Sequence, residues 1–339
     1  MCRACSMHNS RRTFSLQEIN PPDPYSMKKT FKPADLNKIR TGSLKQRKSL
    51  VKRDKLGSPC KPSVSFQGFI DSLPEILAAK DFREIVQRLI KARQGERVII
   101  WGMGAHVIKV GLSPILIDLM EQGFITCLAL NGAGVIHDVE MALMGSTSED
   151  VAAELDSGDF GMSGETASFI NGAVARGVKA GYGFGESIGR ALLASKFPYV
   201  KESIIAAACS RNIPVTVHVA MGTDIIHMHP SCDGAAFGEG SHRDFRLLTD
   251  VVGSLQGGAY LNVGSAVILP EVFLKALNVA RNLGHAVNNF TTVTMDFIRH
   301  YRPLTNVAQR PVMKGGKGFV LVGHHEIMVP LLAAALKQG

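Results

Sequence analysis

Short apolar runs alternate with longer segments of helical periodicity through most of the chain after residue 62. Six of these runs are short, rich in β-branched residues and followed by a helical segment, which is typical of strands buried on both faces. They read RVIIWG, TCLAL, IPVTVHVA, AYLNVG, NFTTVTMD and GFVLVG. The alternation predicts an α/β fold with a mostly parallel sheet and helices on both faces.

The chain before this pattern is basic and rich in proline. Residues 1–62 hold 15 of the 38 basic residues and 4 of the 29 acidic ones, which leaves a nearly neutral remainder of 23 basic and 25 acidic residues. Low hydrophobicity with Pro, Ser and Lys is typical of disorder. We predict a disordered arm over residues 1–35 and a folded domain over 36–339. The arm could contact RNA, an acidic partner or an anionic membrane, or be simply solvated, and we favour solvation over a nucleic-acid partner.

The composition is that of a globular protein in a reducing compartment. Hydrophobic residues make up 45 % of the chain, and no run of about 18 apolar residues occurs that could span a membrane. The cysteines form no regular framework of the kind that disulfide-rich secreted proteins show. We therefore expect a soluble, cytoplasmic protein with no membrane partner.

Glycine-rich turns follow two of the predicted strands, where ligands of parallel sheets bind. The first turn is GMGAH, with Gly104, Ala105 and His106, and the second contains Gly264 and Ser265. Small residues there allow a nucleotide to approach the backbone closely, although a tight turn without a ligand explains them equally well.

Polar residues crowd the turn NGAGVIHD after the second strand. His137 and Asp138 lie where a substrate could be reached, so we predict that they handle protons. The alternative is that Asp138 caps a helix, and that the following TSED is a capping box.

Histidines and carboxylates are dense just after the third strand, in the segment VHVAMGTDIIHMHPSCDGAAFGEGSH. Three interpretations stay open for this segment. Asp224, His227 and His229 could ligate a divalent metal with His218 as a fourth donor. The carboxylates could instead bind a cationic amine while the imidazoles move protons. The histidines could also simply hydrogen-bond an ordered loop.

Threonines and a lysine near the last strands add further candidates. Thr291 and Thr292 could hold a ribose at the end of a strand. Lys275 follows Glu271 by four residues, so an exposed helical ion pair is its simplest role.

These phrases, in this order, resemble the deoxyhypusine synthase family. The likeness rests on NGAGVIHD, GSTSEDV, the IPV strand with its TD loop, NVGSAV with a helix ending ARN, and the FTT strand. It covers most of residues 36–339 and is greatest for the bacterial-type homologues called deoxyhypusine synthase-like. The resemblance implies a Rossmann-like fold, a homotetramer, and NAD bound between subunits. It also implies oxidation of spermidine, loss of 1,3-diaminopropane and transfer of a 4-aminobutyl group through an enzyme lysine.

The resemblance also implies residue roles. The expected NAD contacts are Gly104, Ala105, His106, Asn131, Gly132, Ala133, Gly134, Asp224, Gly264, Ser265, Thr291 and Thr292. The residues expected to bind the amine or handle its protons are His137, Asp138, Asp224, His227, His229, Glu239 and His242. Where the family has its imine-forming lysine this chain reads Leu269, Pro270, Glu271, and the nearest lysine, Lys275, is the candidate for a catalytic role.

We therefore expect an NAD-dependent transferase that acts on spermidine or a related polyamine. Two alternatives remain, a metal-dependent hydrolase or lyase that uses the His218–His229 loop, and an NAD-binding protein without catalytic activity.

Overall fold

The structure is a computed structural model that describes residues 31–338. It divides between Leu50 and Val51 into two compact units. The described part of the first unit is exposed and contains two short 3-10 turns, Leu36–Lys38 and Leu44–Gln46. The predicted arm, residues 1–35, lies outside the described residues except for its last five positions.

The second unit is built on a six-stranded parallel sheet, which confirms the predicted fold class. Each strand corresponds to one of the predicted runs, and the strands are β1 (Ile99–Met103), β2 (Cys127–Asn131), β3 (Val215–His218), β4 (Ala259–Val263), β5 (Thr291–Asp296) and β6 (Lys317–Val322). Their spatial order is β3-β2-β1-β4-β5-β6. The direction of winding therefore reverses between β1 and β4, as in doubly wound folds.

Helices connect the strands and cover the sheet. They are α1 (Phe66–Ser72), α2 (Leu77–Gln94), α3 (His106–Lys109), α4 (Ser113–Glu121), α5 (Gly132–Met144), α6 (Val151–Glu154), α7 (Gly164–Lys179), α8 (Phe184–Ala194), α9 (Ile204–Ser210), α10 (Gly234–Gly253), α11 (Ile268–Asn282), α12 (Tyr301–Pro303) and α13 (His325–Leu336). A π-helical segment, Leu304–Gln309, follows α12. None of the helices within residues 31–338 is long and apolar enough to cross a membrane.

Two hydrophobic cores lie on opposite faces of the sheet because successive strand side chains point in opposite directions. Trp101 and Leu261 belong to the larger core, which includes residues of α2, α4, α5, α7, α9 and α13. Ile100 and Tyr260 belong to the smaller core, which lies under α11 and the end of α10. The ring of Tyr260 stacks on Phe273 of α11 at 3.7 Å between centroids. Because helices cover both faces of the sheet, polar side chains can meet a ligand only at the ends of the strands.

A buried carboxylate links the helices to the edge strand β3. Asp244 of α10 accepts hydrogen bonds from the backbone N–H groups of Gly185 (2.8 Å) and Val217 (2.7 Å). Burial raises the pKa of Asp244 to about 7, although the N–H donors favour its ionised form. A Cβ on Gly183 would lie 1.9 Å from Asp244 Oδ1, so only glycine allows this approach.

This pKa predicts how stability depends on pH. Because the folded pKa of Asp244 is above its unfolded value, its favourable contribution is complete at low pH. As the pH rises from about 4 to about 7 this contribution is lost, and the free energy of unfolding falls by about 4 kcal/mol. Asp244→Asn should remove this part of the pH dependence, measured by urea unfolding at pH values on both sides of neutrality. An unchanged slope in the variant would contradict the assignment.

Candidate functional site

A cavity of about 570 Å³ opens beside α5 at the carboxyl end of β2. Its walls come from α3, α5, the 146–151 segment, the start of α7 and the 223–225 turn. Three carboxylates line it, those of Glu140, Glu149 and Asp224, together with Lys109 and His137. The excess of carboxylates over lysine favours a cationic ligand.

The face of α5 that lines the cavity follows helical spacing. Ala133, His137, Glu140 and Met144 are three or four residues apart and all contribute to the wall. Asp138 lies on the opposite side of the helix, in the core. Of the two residues that the sequence predicts to handle protons, His137 thus lies in the cavity wall and Asp138 in the core.

Glu140 is held in its ionised form by hydrogen bonds. The hydroxyl of Thr147 donates to Glu140 Oε2, and the hydroxyl of Thr166 donates to Oε1 over 3.3 Å. His137 Nδ1 lies 2.6 Å from the same Thr147 hydroxyl. Burial alone would raise the pKa of Glu140, but its interactions with His137, Thr147 and Thr166 outweigh burial and lower it.

Asp224, in the 223–225 turn, packs against the beginning of α5. Asn131 caps this helix through a 3.0 Å hydrogen bond from the N–H of Gly134 to its Oδ1. Asp224 packs directly on Gly132, since a Cβ there would lie 2.1 Å from Asp224 Oδ2. Burial raises the pKa of Asp224, opposed by His227 and by the backbone N–H of Ala133. The first turn of α5, which the resemblance implies to contact NAD, thus already faces a carboxylate.

His227 faces Asp224 in a defined tautomer. Its Nδ1 accepts from the backbone N–H groups of Gly222 (3.1 Å) and Asp224 (3.3 Å), so the proton of the neutral ring is on Nε2. That nitrogen lies 3.9 Å from Asp224 Oδ2. Both atoms are buried and make no hydrogen bond with the residues that the structure describes. The ring edge packs on Phe237, which holds its orientation.

Asp138 is a helix cap and lies outside the cavity. It is fully buried, and its carboxylate accepts from the Ser203 hydroxyl and from the N–H groups of Ile204 and Ile205 at the start of α9. Burial raises the pKa of Asp138 to about 6, against these hydrogen bonds. The structure therefore supports the capping alternative for this residue. Asp150 likewise caps α6, through the N–H groups of Ala152 and Ala153.

The histidines after β3 do not converge on one point. His218 Nε2 pairs with the Thr216 hydroxyl at 3.1 Å, and burial lowers the pKa of His218 to about 3. His229 Nε2 lies 2.9 Å from the carbonyl oxygen of Gly161. Within residues 31–338 no three His, Cys, Asp or Glu side chains group as a metal site. The described residues therefore give no support to the metal-site interpretation of the 218–229 loop.

Three other predicted site residues lie away from the cavity. Glu239 and His242 are exposed on α10, and Glu239 pairs with Arg243 at 2.6 Å. Lys275 is exposed on α11, where its Nζ pairs with Glu271. The helical ion pair expected for Lys275 is thus its role in the structure.

The two glycine turns meet each other at the β1/β4 edge, where the winding reverses. The N–H of Gly104 donates to the carbonyl of Val263 (3.0 Å), and a Cβ on Gly104 would lie 2.2 Å from the oxygen of Gly264. Ser265 Oγ accepts from the N–H of Leu269 at the start of α11. The small residues thus allow the two loops to pack closely at this edge.

Aromatic and imidazole rings surround this edge. His106 lies 5.5 Å from His325 and 5.8 Å from Phe297 between ring centroids, and Phe297 is parallel to His324. His325 Nε2 lies 3.2 Å from the carbonyl oxygen of Met295, while its Nδ1 is buried without a partner in the described chain.

Thr291 and Thr292 lie at the opposite end of the sheet. β5 begins at Thr291 and ends at Asp296, so both threonines are at its amino end. Their side chains are buried, and they cannot join a ligand at the carboxyl edge.

Sequence reasoning missed several residues of the cavity wall. The spacing of Glu140 from His137 is a signal that could have identified it, because residues three apart share a helix face. Thr147, Ser163 and Thr166 carry no such signal, since they reach the cavity through packing of the 146–151 segment and α7 against α5.

Comparisons with known proteins show the fold. Neither a protein-family model nor a curated protein matches the chain. Among solved structures, unliganded AgrE is 16 % identical with a TM-score of 0.50, covering 76 % of this chain and 32 % of its own. ArgZ, an arginine dihydrolase of cyanobacteria, is 17 % identical with a TM-score of 0.47, over 76 % and 31 %. A protein of Entamoeba histolytica provisionally assigned as deoxyhypusine synthase is 11 % identical with a TM-score of 0.47, over 82 % and 95 %.

The chain thus spans about a third of the length of AgrE and ArgZ. At these identities the similarity shows a shared α/β architecture, and it does not assign a family.

The contact between Gly132 and Asp224 predicts a large effect of one methyl group. Gly132→Ala should lower the free energy of unfolding by about 2–3 kcal/mol, because the buried carboxylate must move. The matched control is Gly238→Ala in α10, where a Cβ meets nothing within 4 Å. This substitution should raise the free energy of unfolding by about 0.5–1 kcal/mol. Urea unfolding measures both, and equal stabilities of the two variants would contradict the packing of Asp224 on Gly132.

Proposed function

We propose that this protein is a deoxyhypusine synthase-like, NAD-dependent enzyme that oxidises spermidine or a related polyamine. The observation that carries the proposal is the cavity beside α5, where Glu140, Glu149 and Asp224 face a single space at the carboxyl end of a doubly wound sheet. Ligands of such sheets bind at this end. Carboxylates neutralise ammonium groups, so a small cationic amine suits this space.

Glu140 contributes a fixed negative charge to this site. Its lowered pKa keeps it ionised at neutral pH, and it is anchored by two hydroxyl donors that hold its oxygens in place. Asp224 adds a second carboxylate from the 223–225 turn, at the start of α5. Lys109 is the lysine among the residues that line the cavity. It is the candidate for a covalent adduct if the aminobutyl group is transferred.

The β1/β4 edge fits a dinucleotide. The Gly104–His106 and Gly264–Ser265 turns lie at the point where the winding reverses, and the partly exposed ring of Phe297 beside His106 and His324 offers a flat surface. The orphaned Nδ1 of His325 is a buried polar atom at the same edge. These residues would hold NAD, which when bound supplies the hydride acceptor.

Self-association is part of the proposal. Apolar side chains are exposed near the cavity, and large exposed apolar patches mark interfaces. They belong to Met144, Val151, Leu155, Met162, Met221 and Met228. A homotetramer, as the resemblance implies, would cover such side chains.

Calorimetric titration of the full chain with NAD and with spermidine tests the proposal. We expect Glu140→Gln and Asp224→Asn each to weaken spermidine binding by about tenfold or more, because a charge-assisted hydrogen bond is lost, and to leave NAD binding unchanged. The matched control is Glu239→Gln, which removes a carboxylate outside the cavity and should change neither affinity.

Incubation with NAD and spermidine tests the reaction itself. NADH and 1,3-diaminopropane should both appear, and borohydride followed by peptide mapping should place any adduct on Lys109. Binding of NAD without NADH formation from any amine would favour the non-catalytic alternative. Failure to bind either ligand would overturn the proposal.

A further inference from the structure

A chain of three hydrogen-bonded side chains runs along the α5 wall of the cavity. The Thr147 hydroxyl donates to Glu140 Oε2, and His137 Nδ1 lies 2.6 Å from the same hydroxyl. A hydroxyl has one proton to donate, and an ionised carboxylate can only accept. The proton of Thr147 is therefore directed to Glu140, and His137 must donate from Nδ1 to the oxygen of Thr147.

This arrangement determines the tautomer of His137. A neutral imidazole with its proton on Nδ1 carries a free lone pair on Nε2. His137 lines the cavity, and its Nε2 has no hydrogen-bond partner among residues 31–338. The basic nitrogen of the ring is thus left for a ligand.

The backbone around Thr147 is held in an unusual conformation. Gly145 ends α5 with φ at +75°, and Ser148 has φ at +75° although it is not glycine. Left-handed conformations of non-glycine residues persist where the surroundings demand them, and they concentrate at functional sites. At Gly145 a Cβ would also come 3.0 Å from the Tyr199 ring. The turn that places the Thr147 hydroxyl between His137 and Glu140 therefore has two left-handed residues and packs closely on Tyr199.

Charged side chains share the cavity with His137. Glu140 Oε2 lies 3.8 Å from His137 Nδ1 on the same helix. Asp224 and Glu149 line the cavity from the 223–225 turn and the 146–151 segment, and Lys109 of α3 is the opposing positive charge. His137 therefore lines the same space as the carboxylates that would hold an ammonium group.

We propose that Nε2 of His137 is the base that accepts a proton from the bound substrate ammonium, with Thr147 and Glu140 as its positioning residues. This inference rests on the proposed function, since it names the group that prepares the amine for oxidation. An ammonium N–H bond breaks, its electron pair stays on the amine nitrogen, and a new N–H bond forms at Nε2. The imidazolium is paired with Glu140 through Thr147 and later releases the proton to water. The neutral amine is the form from which hydride can leave.

Nitrogen-resolved NMR of the imidazole side chains of the full chain tests the tautomer without any activity. We expect the wild-type protein to show His137 protonated on Nδ1, with assignment by His137→Gln. Thr147→Ser keeps the hydroxyl and should keep that signature, whereas the isosteric Thr147→Val should lose it. Addition of spermidine should shift the Nε2 signal of the wild-type protein.

Steady-state kinetics with NAD and spermidine test the role in the reaction. His137→Gln should lower kcat by about a hundredfold or more, as loss of a general base does. Thr147→Val should lower kcat by about tenfold with little change in KM, because one hydrogen bond to a charged group is removed. Thr147→Ser should restore kcat, which a purely structural role of the threonine methyl group would not predict.

The outcomes separate this inference from the proposed function. A wild-type spectrum with the proton on Nε2, or no shift of Nε2 with spermidine while NADH still forms, would overturn the inference and leave the proposed function standing. Absence of NADH with every amine, while spermidine still shifts the Nε2 signal, would overturn the oxidation and support the contact between Nε2 and the amine.

Discussion

Burial of both faces of a parallel sheet is the constraint on which the rest of this structure depends. The strand side chains in the two cores are mostly apolar, so the unpaired N–H groups at helix N-termini that pack against the sheet need buried acceptors from elsewhere. Aspartates from distant parts of the chain provide them. Asp138 serves the start of α9, Asp224 faces the start of α5, and Asp244 serves the start of α8.

The three aspartates differ in whether a ligand can reach them. Asp138 and Asp244 are enclosed, and their raised pKa values make the folded protein sensitive to pH without any role for a ligand. Asp224 has the same kind of contact with a helix but also borders the cavity, next to His227. A buried aspartate at a helix N-terminus therefore stabilises the fold at Asp138 and Asp244. At Asp224 it also contributes a carboxylate to the candidate site.

The carboxyl edge of the sheet contains two chemically different regions. Beside α5 the cavity collects carboxylates, His137 and hydroxyl groups, which suits a cationic amine. Beside β4 to β6 the edge carries the rings of His106, Phe297, His324 and His325 over two interlocked glycine turns. The carboxyl end of β1 lies between these two regions. Under the proposed function, hydride would move from an amine in the first region to a cofactor in the second, which requires the two to be close together.

The sequence by itself determined the elements of the second unit. Each of the six strands lies within or close to its predicted run, because short apolar runs of β-branched residues and the intervening helical periodicity are local properties of the chain. It also predicted that His137 and Asp224 lie near the carboxyl edge of the sheet, since parallel strands bring their carboxyl ends together. Only the tertiary structure decided which polar residues meet there.

The tertiary structure keeps Asp138 out of the cavity wall, because successive residues of a helix are turned by about 100° and this turn directs the Asp138 side chain into the core. The same geometry places Glu140 in the cavity wall. The tertiary structure also brought in Thr147 and Thr166 through long-range packing, which leaves no periodic trace in a sequence. The strand order, and with it the point where the winding reverses, likewise depends on contacts between distant segments.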